Sequence, residues 1–76
     1  MQRNRSLNIA GVKVGDRIRL IHMVDDPDPV PDGTLGTVSE IHHYSVWTQV
    51  SVSWDNGRKL MLSSPPDKFE IIDRVM

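Results

Sequence analysis

The chain has 76 residues, enough for one small domain. A domain of this size buries only about 60% of the surface of its unfolded chain, which excludes a large enclosed substrate cavity. The chain has no cysteine, and nine Lys and Arg residues against ten Asp and Glu residues leave a net charge of −1. Disulfides and thiolate chemistry are therefore excluded, and a field strong enough to attract nucleic acid by net charge alone is absent.

The first half of the chain predicts a tail and one strand. Residues 1–10 are polar and unpatterned, which predicts a flexible N-terminal tail ahead of a single domain, residues 11–76. The alternation of apolar and polar residues over 17–24 predicts the first strand. This alternation is clear up to Leu20 and is lost from Ile21 onwards. A β-bulge at that point would let even-numbered residues before it and odd-numbered residues after it face the core.

The next stretch, residues 25–33, predicts a surface loop. Three prolines remove backbone donors and restrict the residues that precede them, which is incompatible with a central strand. The loop is also acidic, and its carboxylates are Asp25, Asp26, Asp28 and Asp32. The prolines stiffen and spread these side chains, so a solvated acidic loop or a partner contact is favoured over a calcium site.

The second half of the chain predicts four further strands. Residues 34–41 predict the second, with Gly36 at a sharp bend where strands cross closely. Residues 46–62 predict a hairpin around a type I′ turn at Asn56-Gly57, and residues 69–72 predict the last strand. Because five short strands occur without any helical periodicity, we expect an all-β fold, a small five-stranded antiparallel barrel.

The hairpin strand has two distinct faces. One carries Val46, Thr48, Val50, Val52 and Trp54, and the other carries Trp47, Gln49, Ser51 and Ser53. A period of two with one apolar face is typical of a half-buried strand. We therefore expect the first set to face the core and Trp54 to pack there rather than to stack on a ligand.

Five motifs in fixed order resemble a known family. They are Gly15-Asp16-Arg17-Ile18-Arg19-Leu20, then Met23 with Asp25-Asp26-Pro27, then Gly33-Thr34-Leu35-Gly36-Thr37-Val38, then Val52-Ser53-Trp54-Asp55-Asn56-Gly57, and last Asp67-Lys68-Phe69. Over about residues 12–72 the chain resembles small proteins of unknown function from phages, plasmids and bacteria. Parts of it are also similar to KOW, Tudor and Mib–Herc2 domains. The resemblance implies an SH3-like barrel and a mobile-element context, and it supplies no catalytic residues.

The chain differs from these relatives in one connector that carries aromatic residues. Residues 42–47 replace a short acidic turn, and Tyr44 and Trp47 lie within them beside a polar strand face. Exposed aromatic residues often anchor interfaces. Tyr44 and Trp47 are therefore predicted to bind a partner, together with the acidic loop, unless the connector folds back to cover Trp47.

Four basic residues form the basis of an alternative function. Arg17, Arg19, Arg58 and Lys59 would make one patch if the first and fourth strands present the same outer surface. Such a patch with aromatic residues for base stacking is typical of small barrels that bind nucleic acid. A solvated surface that protects the sheet from edge pairing explains the same residues.

No other group of residues predicts chemistry. The adjacent His42 and His43 point to opposite faces of a strand and lack further ligands, so no metal and no cofactor is expected. With no apolar run near the ~18 residues of a membrane span, we expect a soluble cytoplasmic protein. The predicted function is a non-enzymatic module, encoded by a phage or other mobile element, that binds a host protein. An inhibitor of host defence fits that context by association, and self-association is a second mode of binding.

Overall fold

The protein forms one open antiparallel sheet. The computed structural model describes residues 11–24 and 26–73. Its strands are β1 (Arg17–His22), β2 (Leu35–His43), β3 (Thr48–Trp54), β4 (Leu62–Ser64) and β5 (Lys68–Asp73). They are ordered β4-β3-β2-β1-β5, and all neighbours are antiparallel. The predicted all-β class and five-stranded antiparallel sheet are confirmed. Within the described ranges no pairing joins β4 to β5, so closure into a barrel is not confirmed.

The core lies on one face of this sheet. Its members are Val12, Ile18, Leu20, Met23, Val30, Val38, Val50, Val52, Trp54, Leu62 and Phe69. In β3 the predicted alternation is found, since Val50, Val52 and Trp54 are buried. Val46 differs from the prediction and is 80% exposed, because β3 begins only at Thr48 and Val46 precedes the pleated segment.

A bulge near the end of β1 changes which residues face the core, from even-numbered to odd-numbered positions. The pairing of β1 with β5 shifts register between Leu20 and His22, and beyond this point Met23 is buried whereas His22 is exposed. The following loop is anchored by Val30, which is buried and whose backbone N–H donates to the Met23 sulfur at 3.4 Å. The expected bulge is therefore present, and it brings an odd-numbered residue into the core.

Gly36 lies in β2 opposite Trp54 of β3, where side chains of β3 approach its backbone closely. A Cβ at this position would lie 2.6 Å from Val52 Cγ1 and 2.8 Å from Trp54 Cε3. Both distances are shorter than a carbon–carbon contact allows, so only glycine fits here without movement of its neighbours. A close approach at Gly36 is therefore found, although it occurs between paired neighbouring strands and not between strands that cross.

The turn between β3 and β4 differs from the predicted one by a residue. Gly57 N–H donates to the Trp54 carbonyl at 2.9 Å, and Trp54 N–H donates to the Arg58 carbonyl at 3.0 Å. These bonds enclose a three-residue loop, with Gly57 at φ +92° as its last member. A three-residue hairpin loop needs its positive φ at that last position. The Asn56-Gly57 pair thus marks the hairpin correctly, but it does not form the predicted two-residue turn.

The described part of the chain contains no helix that is long and apolar enough to cross a membrane.

Candidate functional site

The predicted aromatic connector is the end of the β2–β3 hairpin. β2 continues to His43, two residues past its predicted end, and His43 pairs with Thr48 at the start of β3. Tyr44 N–H donates to the Trp47 carbonyl at 2.8 Å and closes the turn. We call residues 44–47 the aromatic tip.

The two aromatic side chains of the tip contact each other. The ring centroids of Tyr44 and Trp47 are 4.5 Å apart with an interplanar angle of 17°, which is a stacked arrangement. Tyr44 is 51% exposed, Val46 is 80% exposed and Trp47 is half-buried. The connector therefore covers Trp47 only in part, since one face of its ring is against Tyr44. The result is an apolar surface whose main side chains are already ordered.

A cleft lies beside the aromatic tip. Its volume is about 380 Å³, and its far wall is formed by Ser64 and Pro65 at the end of β4. His43 Nδ1 lies 3.1 Å from Thr48 Oγ1 at the base of the tip. The cleft is shallow and open to solvent, so it extends the surface of the tip and does not enclose a ligand.

The tip extends past the neighbouring strand β1. β1 pairs with β2 only over Leu35–Thr37, and Val38 then bonds to the backbone of Gly15 and Asp16. Among the described residues the remainder of β2, up to His43, pairs only with β3. The aromatic tip is therefore a projecting part of the sheet.

The acidic loop is fastened to the opposite end of the sheet. Arg58 Nη2 donates to the Asp28 carbonyl at 2.6 Å and lies 3.7 Å from its carboxylate. Asp26 accepts the Asp28 N–H at 2.9 Å, and His22 Nδ1 lies 3.0 Å from Asp32. Asp25 lies outside the described residues. The loop is thus held by local partners, and Asp28 presents an exposed carboxylate.

The structure does not bring the acidic loop and the aromatic tip together. The Leu35 carbonyl at the start of β2 accepts the Asp55 N–H at 2.8 Å, so this end of β2 adjoins the turn that leads to Arg58. The tip follows the other end of the same nine-residue strand. At about 3.3 Å per residue the strand is roughly 30 Å long. The two predicted partner contacts are therefore separate surfaces.

Two of the predicted basic residues share one row on the outer face. Arg17 pairs with Thr37, Thr37 pairs with Ser53, and Ser53 forms a bridge with Lys59. Residues opposite each other in adjacent strands point to the same face. Arg17 Nη1 donates to Thr37 Oγ1 at 3.0 Å, as this arrangement requires.

Carboxylates neutralise the three arginines of the predicted patch. Arg17 makes two hydrogen bonds to Asp55, at 2.8 and 2.7 Å, and Arg19 bonds to Glu70 at 2.6 Å. Arg58 contacts Asp28 as described above. The hydrogen bonds between Arg17 and Asp55 raise the pKa of the guanidinium and lower the pKa of the carboxyl. Both directions favour the charged forms, so the positive charge of Arg17 is compensated locally.

The histidines have protein partners rather than a shared centre. His42 Nε2 lies 3.1 Å from Glu40 Oε2, while His43 contacts Thr48. Over residues 11–24 and 26–73 no three His, Asp or Glu side chains are grouped to hold a metal ion.

One depression was missed by reasoning from the sequence. It lies on the outer face of β3, where Ser51 and Ser53 form one wall and Lys59 and Met61 form another. Alternating serines on a strand indicate only a solvated face. Met61, an apolar side chain at an outward position of the hairpin, is the residue that could have indicated this depression.

Comparison with known proteins identifies one relationship. The model of a family described as "Domain of unknown function (DUF4314)" matches residues 10–72. No curated protein and no solved structure matches the chain.

Proposed function

The chain belongs to the DUF4314 family, whose function is unknown, and we propose that it is a non-enzymatic binding module that contacts a protein partner through the aromatic tip. One observation carries the proposal. Tyr44 and Trp47 are stacked and partly exposed at the end of a hairpin that extends past β1. Trp and Tyr are the residues most enriched at the centres of protein interfaces.

The order of the tip favours binding energetically. Association costs about 0.5–1.5 kcal/mol for each flexible side chain that becomes immobilised. Rings that already stack on each other have less of this freedom to lose on binding, so less of the free energy gained by burying them is offset. Val46 adds a further exposed apolar side chain between them. A partner that covers the tip would also remove this surface from water.

The charge distribution supports a protein partner over the alternative, a nucleic-acid-binding module that uses Arg17, Arg19, Arg58 and Lys59. Binding to a nucleic acid depends on Lys and Arg side chains that neutralise phosphates and release the counterions condensed on the nucleic acid. Here each of the three arginines already contacts a carboxylate. A phosphate would have to compete with these internal partners.

We further propose an SH3-like arrangement of the strands, and an origin, a site of action and a target for the protein. An SH3-like arrangement is supported by the position of β1, which pairs with both β2 and the last strand β5, and by the register shifts in β1 and β2. A phage or mobile-element origin, a cytoplasmic site of action and a host defence protein as target rest on the resemblance alone. Self-association through the tip is a competing use of the same apolar surface.

The experiment compares three forms of the protein as bait in a bacterial lysate. Replacement of Tyr44 and Trp47 by Ser is expected to weaken capture of the partner by about 2–4 kcal/mol, the range of interface hot spots. The matched control replaces Val14 and Ile72, two exposed apolar residues elsewhere, by Ser. Wild type and control should retain the same protein after nuclease treatment, and the tip variant should lose it.

The outcomes separate the possible functions. Thermal melts by circular dichroism establish that the tip variant is folded. Capture that is equal in all three forms would exclude the tip as the binding surface, and capture that disappears with nuclease would favour nucleic acid. Sedimentation of the pure protein detects self-association, which should be absent if the tip binds a foreign partner.

A further inference from the structure

The depression on the outer face of β3 is a groove with a defined origin. β4 pairs with β3 only over Thr48–Val50, and the next contact between the two sides of the hairpin is the bridge of Ser53 with Lys59. Between these points the returning chain, residues 60–61, belongs to no strand. Trp54 Nε1 donates to the Leu60 carbonyl at 3.0 Å and holds this segment in place. The resulting groove has a volume of about 390 Å³.

The groove combines hydroxyl groups with apolar surface. Ser39, Ser51 and Ser53 line one side, and Leu60 and Met61 line the other. Met61 is 54% exposed, although its sulfur accepts a hydrogen bond from Gln49. Binding sites commonly have such a mixture, in which apolar surface provides affinity and a few polar groups fix orientation.

Lys59 gives the groove its charge. Among the described residues that line the groove, it is the single charged one. Unlike Arg17, Arg19 and Arg58, Lys59 has no ion pair in the described part of the chain. The Lys59 ammonium group and the hydroxyls of Ser51 and Ser53 can donate to a carboxylate, whereas the Ser39 hydroxyl donates to the Ser51 carbonyl at 3.1 Å. The groove is therefore complementary to an acidic group attached to an apolar chain.

We infer that this groove, which we call the serine groove, binds a short peptide segment of the partner in which an acidic residue is flanked by apolar residues. The acidic side chain pairs with Lys59, and an apolar neighbour covers Met61 and Leu60. The inference rests on the proposed function, because its occupant is part of a protein partner. The serine groove would then select the sequence of a second segment of the partner, while the aromatic tip supplies most of the affinity.

The test titrates the labelled protein with three capped peptides, Leu-Glu-Leu, Leu-Gln-Leu and Leu-Lys-Leu, and follows backbone amide shifts by NMR. Leu-Glu-Leu should shift the amides of the serine groove and bind more tightly than Leu-Gln-Leu. Lys59→Met should weaken binding of Leu-Glu-Leu by about threefold or more, as expected for the loss of a surface charge pair. The matched control Lys68→Met removes another exposed lysine and should leave binding unchanged.

Reversing the charge of Lys59 tests the inference more strictly than removing it. Lys59→Glu should bind Leu-Lys-Leu in preference to Leu-Glu-Leu. The inference is wrong if the acidic and neutral peptides bind equally, if shifts occur away from the serine groove, or if Lys59→Met behaves like Lys68→Met. The variant with Ser at Tyr44 and Trp47 should bind Leu-Glu-Leu normally. Failure of the peptide test together with loss of capture in that variant would refute the serine groove and leave the proposed function intact.

Discussion

At the scale of single residues, one buried carboxylate connects two distant parts of the chain. Asp67 is 7% exposed. Its Oδ1 accepts the Val24 N–H at 2.7 Å, and its Oδ2 accepts the Ser63 N–H at 2.9 Å. Asp67 therefore joins the end of the β1 segment to β4, although Val24 and Asp67 are 43 residues apart. Asp67 begins the last of the five motifs that resemble the family, Asp67-Lys68-Phe69. Its contacts give that motif a structural role.

Replacement of Asp67 by Asn tests this role. An amide keeps one oxygen but turns an NH₂ group toward a backbone donor, so one hydrogen bond is replaced by a donor–donor contact. We expect Asp67→Asn to lower the free energy of unfolding by about 1–3 kcal/mol, the cost of a buried group left without its partner. Urea denaturation measures the change. Asp28→Asn, at an exposed carboxylate, should change it by less than about 0.5 kcal/mol, and an equal loss in both variants would contradict the role of Asp67.

At the scale of elements, the contact between β2 and β3 depends on a missing side chain. Gly36 pairs with Trp54, and Val52 is the nearest side chain to the position of an added Cβ. A methyl group there must displace either the valine or the indole. Because both are buried in the core, little space is available for such a movement.

A double-mutant cycle measures this constraint. Gly36→Ala should lower the free energy of unfolding by about 1–3 kcal/mol, as overpacking does in other cores. In a Val52→Ala background the shortest of the close contacts is removed, so the cost of Gly36→Ala should fall by at least about 0.5 kcal/mol. Denaturant melts of the four proteins provide the comparison. Equal costs in both backgrounds would show that the other close contacts, with Trp54 Cε3 and the Ser53 carbonyl, require glycine instead of the contact with Val52.

At the scale of the whole molecule, charge is balanced both in total and locally. The net charge is −1, and Arg17, Arg19 and Arg58 each contact a carboxylate. Lys59 lies in the same outer row as Arg17 but without such a partner in the described structure. An uncompensated lysine beside apolar surface can select a carboxylate, whereas binding to a nucleic acid requires several neutralised phosphates.

This balance predicts the result of a binding experiment with mixed DNA and RNA. At ~150 mM salt we expect no micromolar complex, because few counterions would be released. Fluorescence anisotropy across a salt series makes the measurement. If a salt-sensitive micromolar complex forms and is abolished by Arg17→Glu together with Arg19→Glu, the basic residues form a nucleic-acid site and the protein-binding proposal is wrong.

The sequence by itself determined the features that depend on neighbouring residues. Alternation predicted the buried face of β3 because the pleat turns successive side chains to opposite faces. The three prolines excluded a strand between β1 and β2 because they lack backbone donors. Gly36 signalled a close approach between strands, and Asn56-Gly57 signalled a hairpin. Each of these predictions follows from the conformations that one or two residues can adopt.

Only the tertiary structure decided which distant groups meet. The partner of Arg17 is Asp55, 38 positions away. The sequence therefore could not show that a carboxylate neutralises this residue of the predicted basic patch. The extension of β2 to His43 depends on its pairing with β3. Because of this pairing the turn of the aromatic tip begins at Tyr44 and not at His42, where the predicted connector began. The serine groove exists because β3 and the returning chain separate between two points of contact. Such arrangements depend on strand register and side-chain packing across the whole sheet, and periodicity along the chain carries no information about them.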